Sequence, residues 1–238
     1  MAQIDTRLTA IQELYSLPLE RREIAFVFLK WAGVLLRTQS IDLAFDIAGV
    51  LKQREINEIE KTDFSFYTHI HGDHFNQSKA LSFHKRTGAR IIAPSDIVSQ
   101  LEGSLPSESL ILSEPGRMHA RVPVAGLNVR AIRGVHSGPF SQYLIKKNRI
   151  SIFHAGDSGY FRIVGQSADI AFLPTGTPSP WCAPEVALAT ALNLKPKIAV
   201  AMHGTTEEME RFRIIMKKEM PETMVVIPNT FEPVRVEV

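Results

Sequence analysis

The chain has 238 residues, of which 45% are hydrophobic and 22% are charged, and its formal net charge is +2. This composition is typical of a soluble globular protein and excludes a disordered chain, a collagen-like chain and a disulfide-rich scaffold. The near balance of charge argues against a general nucleic-acid binder, and the single cysteine, Cys182, favours a reducing compartment because it has no partner for an intramolecular disulfide.

Residues 1–23 mix charged and apolar side chains, a pattern that excludes a signal peptide. Leu8, Ile11 and Leu14 recur at helical spacing, so we expect an amphipathic helix that ends near Pro18. We interpret this segment as an N-terminal helical extension that covers a sheet face or contributes to a homo-oligomer contact.

Residues 24–238 are long enough for one core, and we expect a single domain there. The longest apolar stretch, 24–36, is too short for a membrane-spanning helix, which needs about 20 residues. We therefore expect a cytoplasmic protein that does not contact a membrane.

Short runs that are rich in β-branched and aromatic residues, or that alternate in polarity, predict strands. In chain order these runs are 24–30, 34–38, 42–46, 64–70, 91–93, 118–124, 127–135, 142–146, 149–154, 170–173, 198–202, 225–228 and 234–238. Helical spacing and capping signals predict helices at 51–61, 76–87, 95–100, 184–194 and 206–218. The mixture of antiparallel-looking and βα-like regions indicates a layered α/β architecture.

One segment concentrates metal-ligating residue types directly after a predicted strand, and it reads Thr-His-Ile-His-Gly-Asp-His. His69 and His71 are two residues apart, so their side chains share a face on an extended backbone. Asp73 and His74 follow Gly72, where the chain can turn and aim them at the same point. One ion cannot easily take all four side chains from so short a segment, whereas two neighbouring ions can share them.

Further ligands are needed, because a catalytic ion usually has at least three protein ligands and an open position. His136, Asp157 and His203 each follow a predicted strand, and each is followed within two residues by glycine. Each of the three can therefore reach one rim of a sheet.

This series of motifs resembles the metallo-β-lactamase-fold superfamily of metal-dependent hydrolases. The stretch 169–205 is most similar to the compact branch that includes L-ascorbate-6-phosphate lactonase. The resemblance covers the chain from residue 24 onward, and it implies a four-layered αββα sandwich of the α/β class with a metal site along one edge.

The resemblance also implies two divalent metal ions and divides the ligands between them. The first ion would be held by His69, His71 and His136, the second by Asp73, His74 and His203, and Asp157 would bridge the two. Two ions about 3.5–4 Å apart can share a hydroxide, activate it near neutral pH and polarise the oxygen that it attacks. Asp73 is also the candidate catalytic residue, which would orient the nucleophile or accept its proton. Imidazole and carboxylate donors suit Zn²⁺, our first expectation, and also Mn²⁺ or Fe²⁺.

Several neighbouring residues have two interpretations. Asp46 is either a support beneath the site or a turn residue, and His154 is either a support or a core histidine. Tyr143 and Trp181 are candidates to line a substrate pocket, although core packing is the favoured interpretation of Trp181. The branch usually has a Gly-His pair near its start, and here the corresponding residues 29–33 read Leu-Lys-Trp-Ala-Gly.

We expect a dinuclear hydrolase that acts on a small-molecule ester or lactone. The alternatives are a compact phosphodiesterase or nuclease, a di-iron redox protein, and a metal-binding scaffold without catalysis. Nucleic acid is not the expected partner, because the large nucleases of this superfamily have an inserted domain for which this chain has no room.

Overall fold

A computed structural model describes residues 5–116 and 119–238. Residues 1–4 of the predicted extension and Met118, the first residue of a predicted strand, lie outside the described residues. The described chain forms two compact units. The first unit runs up to Ile111 and includes Asn229–Glu237, and the second consists of Leu112–Pro228 with Val238.

The strands, in chain order, are β1 (Glu23–Lys30), β2 (Gly33–Thr38), β3 (Asp42–Phe45), β4 (Phe64–Phe66), β5 (Arg90–Ala93), β6 (Leu110–Leu112), β7 (His119–Val122), β8 (Asn128–Ile132), β9 (Gln142–Lys147), β10 (Ile150–His154), β11 (Ile170–Pro174), β12 (Ile198–Met202), β13 (Met224–Val226) and β14 (Pro233–Glu237). The α-helices are α1 (Thr6–Ser16), α2 (Gln53–Glu58), α3 (Gln77–Thr87), α4 (Ser95–Leu101), α5 (Pro184–Leu194) and α6 (Thr206–Glu219). Among the described residues, none of these helices has both the length and the apolar character of a membrane span.

The sheet of the first unit is mixed, with the strand order β14-β1-β2-β3-β4-β5-β6. Its strands from β14 to β3 pair antiparallel, and β3, β4 and β5 pair parallel. Because β1 and β3 are both antiparallel to β2, they run in the same direction. The carboxyl ends of β1, β3, β4 and β5 therefore lie at one edge, which we call the carboxyl edge of the first sheet.

Helix α1 packs into the core of the first unit, as its apolar spacing predicts. Its residues Ile11 and Leu14 are fully buried and join a cluster that includes Val27 of β1 and Leu35 of β2. The helix ends at Ser16, two residues before Pro18, because proline disfavours a helical conformation for the residue before it. The predicted amphipathic helix is confirmed, and its apolar face covers part of the first sheet.

The sheet of the second unit has the strand order β13-β12-β11-β10-β9-β8-β7. Here β7 to β10 pair antiparallel, and β10 to β13 pair parallel. Since β8 and β10 are both antiparallel to β9, the carboxyl ends of β8, β10, β11 and β12 meet at one edge, the carboxyl edge of the second sheet.

Local sequence signals account for two junctions in the second unit. Thr205 and Glu208 form the predicted capping box of α6, in which the Thr205 hydroxyl accepts from the Glu208 N–H at 3.2 Å and the Glu208 carboxylate accepts from the Thr205 N–H at 2.7 Å. The β9–β10 hairpin turns at Asn148 and Arg149, whose φ angles are 48° and 70°. The turn lies one residue later than predicted, because a two-residue turn of this kind needs positive φ at both central residues.

Strand β4 is shorter than the predicted run of 64–70. The Tyr67 N–H still bonds to the Ile92 carbonyl of β5 at 3.0 Å, but the next N–H, of Thr68, donates to the Asp46 carboxylate at 2.7 Å. The Asp46 carboxylate thus accepts the hydrogen bond that the backbone carbonyl of a neighbouring strand would otherwise accept, and β4 ends here. Helix α2 is also shorter than predicted, and the sequence did not indicate β6 or the 3₁₀ turn Ser107–Ser109 before it.

Replacing the buried Leu14 tests the docking of α1. We expect Leu14→Ala to lower the free energy of unfolding by about 2–5 kcal/mol, because it leaves a cavity in the core of the first unit. Denaturant unfolding followed by circular dichroism measures this loss. The control is Glu13→Ala, since Glu13 is exposed on the same helix and its replacement should change stability by about 0.5 kcal/mol or less. An equally small effect of both substitutions would contradict the packing described here.

Candidate metal centre

Four predicted ligands lie together at the carboxyl edge of the first sheet, and we call His69, His71, Asp73 and His74 the first cluster. The imidazole centroids of His69 and His71 are 4.6 Å apart, and those of His69 and His74 are 4.1 Å apart. His69 and His74 are buried, Asp73 is half-buried, and His71 is exposed. The structure therefore brings the three imidazoles of the motif to one place.

A tight turn returns the chain after His71. The His71 carbonyl accepts from the N–H groups of His74 at 2.9 Å and Phe75 at 2.8 Å. Gly49 packs against this turn and donates its N–H to the His74 carbonyl at 3.2 Å. A Cβ at Gly49 would lie 2.3 Å from the carbonyl carbon of Asp73, so only glycine allows this approach.

Asp46 is the support of the first cluster. It follows β3, is fully buried, and has a φ of 47°, in the left-handed region that few residues other than glycine adopt. Its Oδ1 accepts from the Thr68 N–H at 2.7 Å, and its Oδ2 accepts from the Thr68 hydroxyl at 2.7 Å and lies 2.9 Å from His74 Nδ1. Asp46 lies at a bend after β3 and also contacts a predicted ligand, so the two interpretations are compatible.

Thr68 contacts two of the predicted ligands, and the sequence indicated no role for it. Its hydroxyl hydrogen is directed at Asp46, so its oxygen is free to accept from Nδ1 of His69, 3.1 Å away. With Nδ1 of His69 and Nδ1 of His74 both occupied by hydrogen bonds, the Nε2 atoms are the ones that can bind a metal ion. The only sequence signal for this role is the position of Thr68 directly before the histidine motif.

The other three predicted ligands lie at the carboxyl edge of the second sheet, and we call His136, Asp157 and His203 the second cluster. Asp157 is buried, with Oδ1 at 3.3 Å from His136 Nε2 and Oδ2 at 4.0 Å from His203 Nε2. Nδ1 of His136 lies 2.9 Å from the Ser137 carbonyl, which can only accept, so this nitrogen donates and Nε2 has the lone pair.

Hydrogen bonds fix the backbone of the Asp157 loop. The Asp157 carbonyl accepts from the Ser179 hydroxyl at 3.1 Å and from the Cys182 thiol at 3.0 Å. Burial raises the pKa of Cys182 to about 12, so the thiol keeps its proton near neutral pH and can donate the hydrogen bond to this carbonyl. His154 accepts the Gly156 N–H on its Nδ1 at 3.2 Å, and it therefore shapes the same loop from the core.

The two remaining candidates behave differently from each other. Tyr143 is fully buried and its hydroxyl lies 2.7 Å from the Ser113 hydroxyl, so it belongs to the core of the second unit. Trp181 is 42% exposed, and the favoured interpretation of this residue as core packing is wrong. Its neighbour Cys182 is half-buried and is bonded to the Asp157 carbonyl.

The donor set fits a divalent metal ion. The clusters offer imidazole nitrogens and carboxylate oxygens, which are candidate metal-binding groups. Two donors on one tetrahedral zinc ion, each about 2.1 Å from it, lie about 3.4 Å apart. The measured separations are 3.5 Å for His74 Nε2 and Asp73 Oδ2, and 3.3 Å for His136 Nε2 and Asp157 Oδ1. These separations are long for a hydrogen bond and suit two ligands of the same ion.

Residues 40–204 match the family described as the Beta-lactamase superfamily domain, and the chain therefore belongs to this superfamily. Its relatives include a UPF0173 metal-dependent hydrolase of Thermococcus onnurineus, 32% identical over 161 residues, which are 61% of this chain and 68% of that protein. Another, from Staphylothermus marinus, is 28% identical over 180 residues, which are 70% of this chain and 75% of that protein. The chain is thus a metal-dependent hydrolase, and the predicted family is confirmed.

Solved structures confirm the fold class. Igni18, a metallo hydrolase from Ignicoccus hospitalis, matches with a TM-score of 0.73 at 22% identity, over 91% of this chain and 99% of that one. The metallo-beta-lactamase fold protein YhfI from Bacillus subtilis matches with a TM-score of 0.65 at 13% identity, over 90% and 99% of the two chains. At these identities the similarity establishes the metallo-β-lactamase fold alone.

The support by Asp46 can be tested through metal affinity. We expect Asp46→Asn to weaken metal binding by roughly 10–100-fold. Both oxygens of the carboxylate accept hydrogen bonds, from Thr68 and His74, whereas an amide has only one oxygen and its nitrogen cannot accept. Competition with a chromophoric chelator measures the affinity.

The matched control is Asp169→Asn. Asp169 also accepts several hydrogen bonds, from the Ser151 N–H and hydroxyl and from Lys197, but it lies at the start of β11, at the opposite end of the strand from the second cluster. This variant should lose stability and keep its metal affinity. Equal metal affinity in the wild type and Asp46→Asn would contradict the role of Asp46.

Proposed function

We propose that the first and second clusters hold two divalent metal ions and that the chain uses them to hydrolyse a small-molecule ester or lactone. Membership of the superfamily supports hydrolysis, and the donor set described above supports metal binding. The preference for an ester or lactone rests on the resemblance of 169–205 to the lactonase branch. Zn²⁺ is the proposed metal, and Mn²⁺ and Fe²⁺ suit the same donors.

The arrangement of Asp157 is the observation that carries this proposal. A carboxylate that bridges two ions presents one oxygen to each of them. In the second unit, Oδ1 of Asp157 faces His136, a proposed ligand of the first ion, and Oδ2 faces His203, a proposed ligand of the second. A negative charge in this position would also offset part of the repulsion between the two cations.

Divalent ions bound there would lower the pKa of water and polarise the oxygen of the scissile bond. The residues of the chain supply the positioning. Asp46 and Thr68 fix the rings of His74 and His69, so that these ligands do not have to reorganise during the reaction. Asp73 is half-buried, and we assign to it the transfer of a proton from the attacking water to the leaving group.

Metal analysis followed by a substrate panel tests the proposal. The purified full-length protein is analysed for its metals and is then restored with Zn²⁺, Mn²⁺ or Fe²⁺ in separate samples. We expect two ions per chain and a higher kcat/KM on esters and lactones than on bis(4-nitrophenyl) phosphate or RNA. Higher activity on the last two substrates would favour a phosphodiesterase instead. Two bound ions without turnover of any substrate would favour a scaffold.

Substitutions of the ligands give a second test. We expect Asp157→Asn and His203→Ala each to lower the metal content. Each should also lower kcat/KM by more than roughly 100-fold, because loss of a residue that only supports a ligand already costs about 10–100-fold. Cys182→Ser is the control, since Cys182 contacts the same loop but is no ligand in this proposal. Unchanged metal content in folded Asp157→Asn and His203→Ala proteins would show that the ligands are assigned wrongly.

A further inference from the structure

The first unit contains a cavity of ≈ 510 Å³ whose lining combines positive charge with aromatic rings. Arg7 lies with its guanidinium carbon 3.8 Å from the ring centroid of Phe231, and Lys30 lies with its Nζ 4.5 Å from the ring of Trp31. The described residues that line the cavity include no carboxylate. Such a lining favours an anion that has an apolar body.

The positive charges of Arg7 and Lys30 differ in how far a neighbouring carboxylate already neutralises them. Arg7 Nε lies 3.1 Å from Oε1 of the fully buried Glu55, so a fixed negative charge stands directly behind the guanidinium. Lys30 ends β1 and is exposed, with its stem along the cavity. The net charge available to a ligand therefore comes mainly from Lys30, whose ammonium binds carboxylate and phosphate oxygens as a point charge.

Trp31 adopts a backbone conformation that its side chain disfavours. The pair Lys30 and Gly33 closes a two-residue hairpin turn, and Trp31 at its tip has a φ of 53°. Glycine or asparagine is the usual choice at such a position. A Cβ at Gly33 would lie 2.7 Å from Cγ2 of Val50, so close packing against Val50 holds the tip in place. Backbone strain of this kind clusters at active sites and ligand-binding sites.

The cavity adjoins the first cluster. Lys30 ends β1 and Trp31 follows it at the carboxyl edge of the first sheet, the same edge at which His69 to His74 follow β4. Gly49 lines the cavity and donates its N–H to the His74 carbonyl at 3.2 Å. A ligand seated in the cavity is therefore separated from the predicted metal ligands by little more than this backbone segment.

We propose that this cavity binds the anionic end of the substrate, a carboxylate or phosphate attached to an aromatic or aliphatic body, with Lys30 and Trp31 as its main contacts. The inference rests on the proposed function in one respect, because it takes the bound anion to be part of the molecule that is hydrolysed. It assigns a specificity role to residues 30–31, which lie within the stretch 29–33 that corresponds to the Gly-His pair of the similar lactonase branch.

A pair of esters of equal size tests the charge preference in the metal-loaded enzyme. 3-Acetoxybenzoate is an anion, and 3-acetoxybenzamide is its neutral counterpart. We expect kcat/KM to favour the anion by at least tenfold, mainly through KM. Lys30→Gln should lower this ratio by about tenfold, and Lys30→Arg should keep most of it. The control Lys85→Gln removes an exposed charge from α3 of the same unit and should leave the ratio as in the wild type.

Direct binding tests the cavity without turnover. The chain has two tryptophans, so Trp181→Phe leaves Trp31 as the only indole that can report by fluorescence. We expect benzoate to change this signal at a concentration at least tenfold lower than benzamide, and Lys30→Gln to abolish the difference. Trp31→Asn should bind benzoate more weakly, as followed by calorimetry, and should have an unfolding midpoint at or above that of the wild type.

The outcomes separate the two proposals. Equal binding of benzoate and benzamide, or a preference that Lys30→Gln does not change, overturns the anion site, even if esters are hydrolysed. Lys30-dependent binding of benzoate by a protein that hydrolyses no ester overturns the proposed function and supports the anion site as a binding site. If the wild-type kcat/KM values for 3-acetoxybenzoate and 3-acetoxybenzamide are nearly equal, the assignment of this cavity to the substrate is overturned.

Discussion

The carboxylate of Asp46 is the interaction on which the first cluster depends. A buried carboxylate is costly unless hydrogen bonds compensate its charge, and three donors converge on this one, from the backbone and hydroxyl of Thr68 and from Nδ1 of His74. These bonds end β4 and orient the imidazole of His74 directly, and they place the Thr68 hydroxyl against the imidazole of His69. The strand end and the predicted ligand geometry therefore have one common cause.

Strand direction explains why short loops are enough to build each cluster. In both sheets a run of antiparallel strands changes to a parallel run, and the strands that precede the predicted ligands all end at one edge. Each ligand then needs only the few residues after its strand, and the rest of each unit acts as a rigid support. This arrangement accounts for the proximity of predicted ligands that are far apart in the sequence, such as His136, Asp157 and His203.

The sequence predicted the ligand-bearing segments well, because their signals are local. The histidine motif, the bounds of α5 and β12, and the capping box of α6 all depend on residues within a few positions of one another. The failures involve distant partners. The end of β4 depends on Asp46, 22 residues before Thr68, and the segment that contains Trp181 and Cys182 bonds to Asp157, 25 residues before Cys182. Periodicity contains no information about such contacts.

The place of β14 in the first sheet affects how the chain folds during synthesis. In the pairing of β14 with β1, Glu23 lies opposite Glu237 at one end and Val27 lies opposite Pro233 at the other. The side chain of Arg235 also bonds to that of Glu23. The ribosome releases β1 well before β14, so the edge of β1 that pairs with β14 stays open while the intervening chain is made. An open strand edge can pair with other chains. For this protein, the synthesis of β14 covers a strand edge through which nascent chains could otherwise associate.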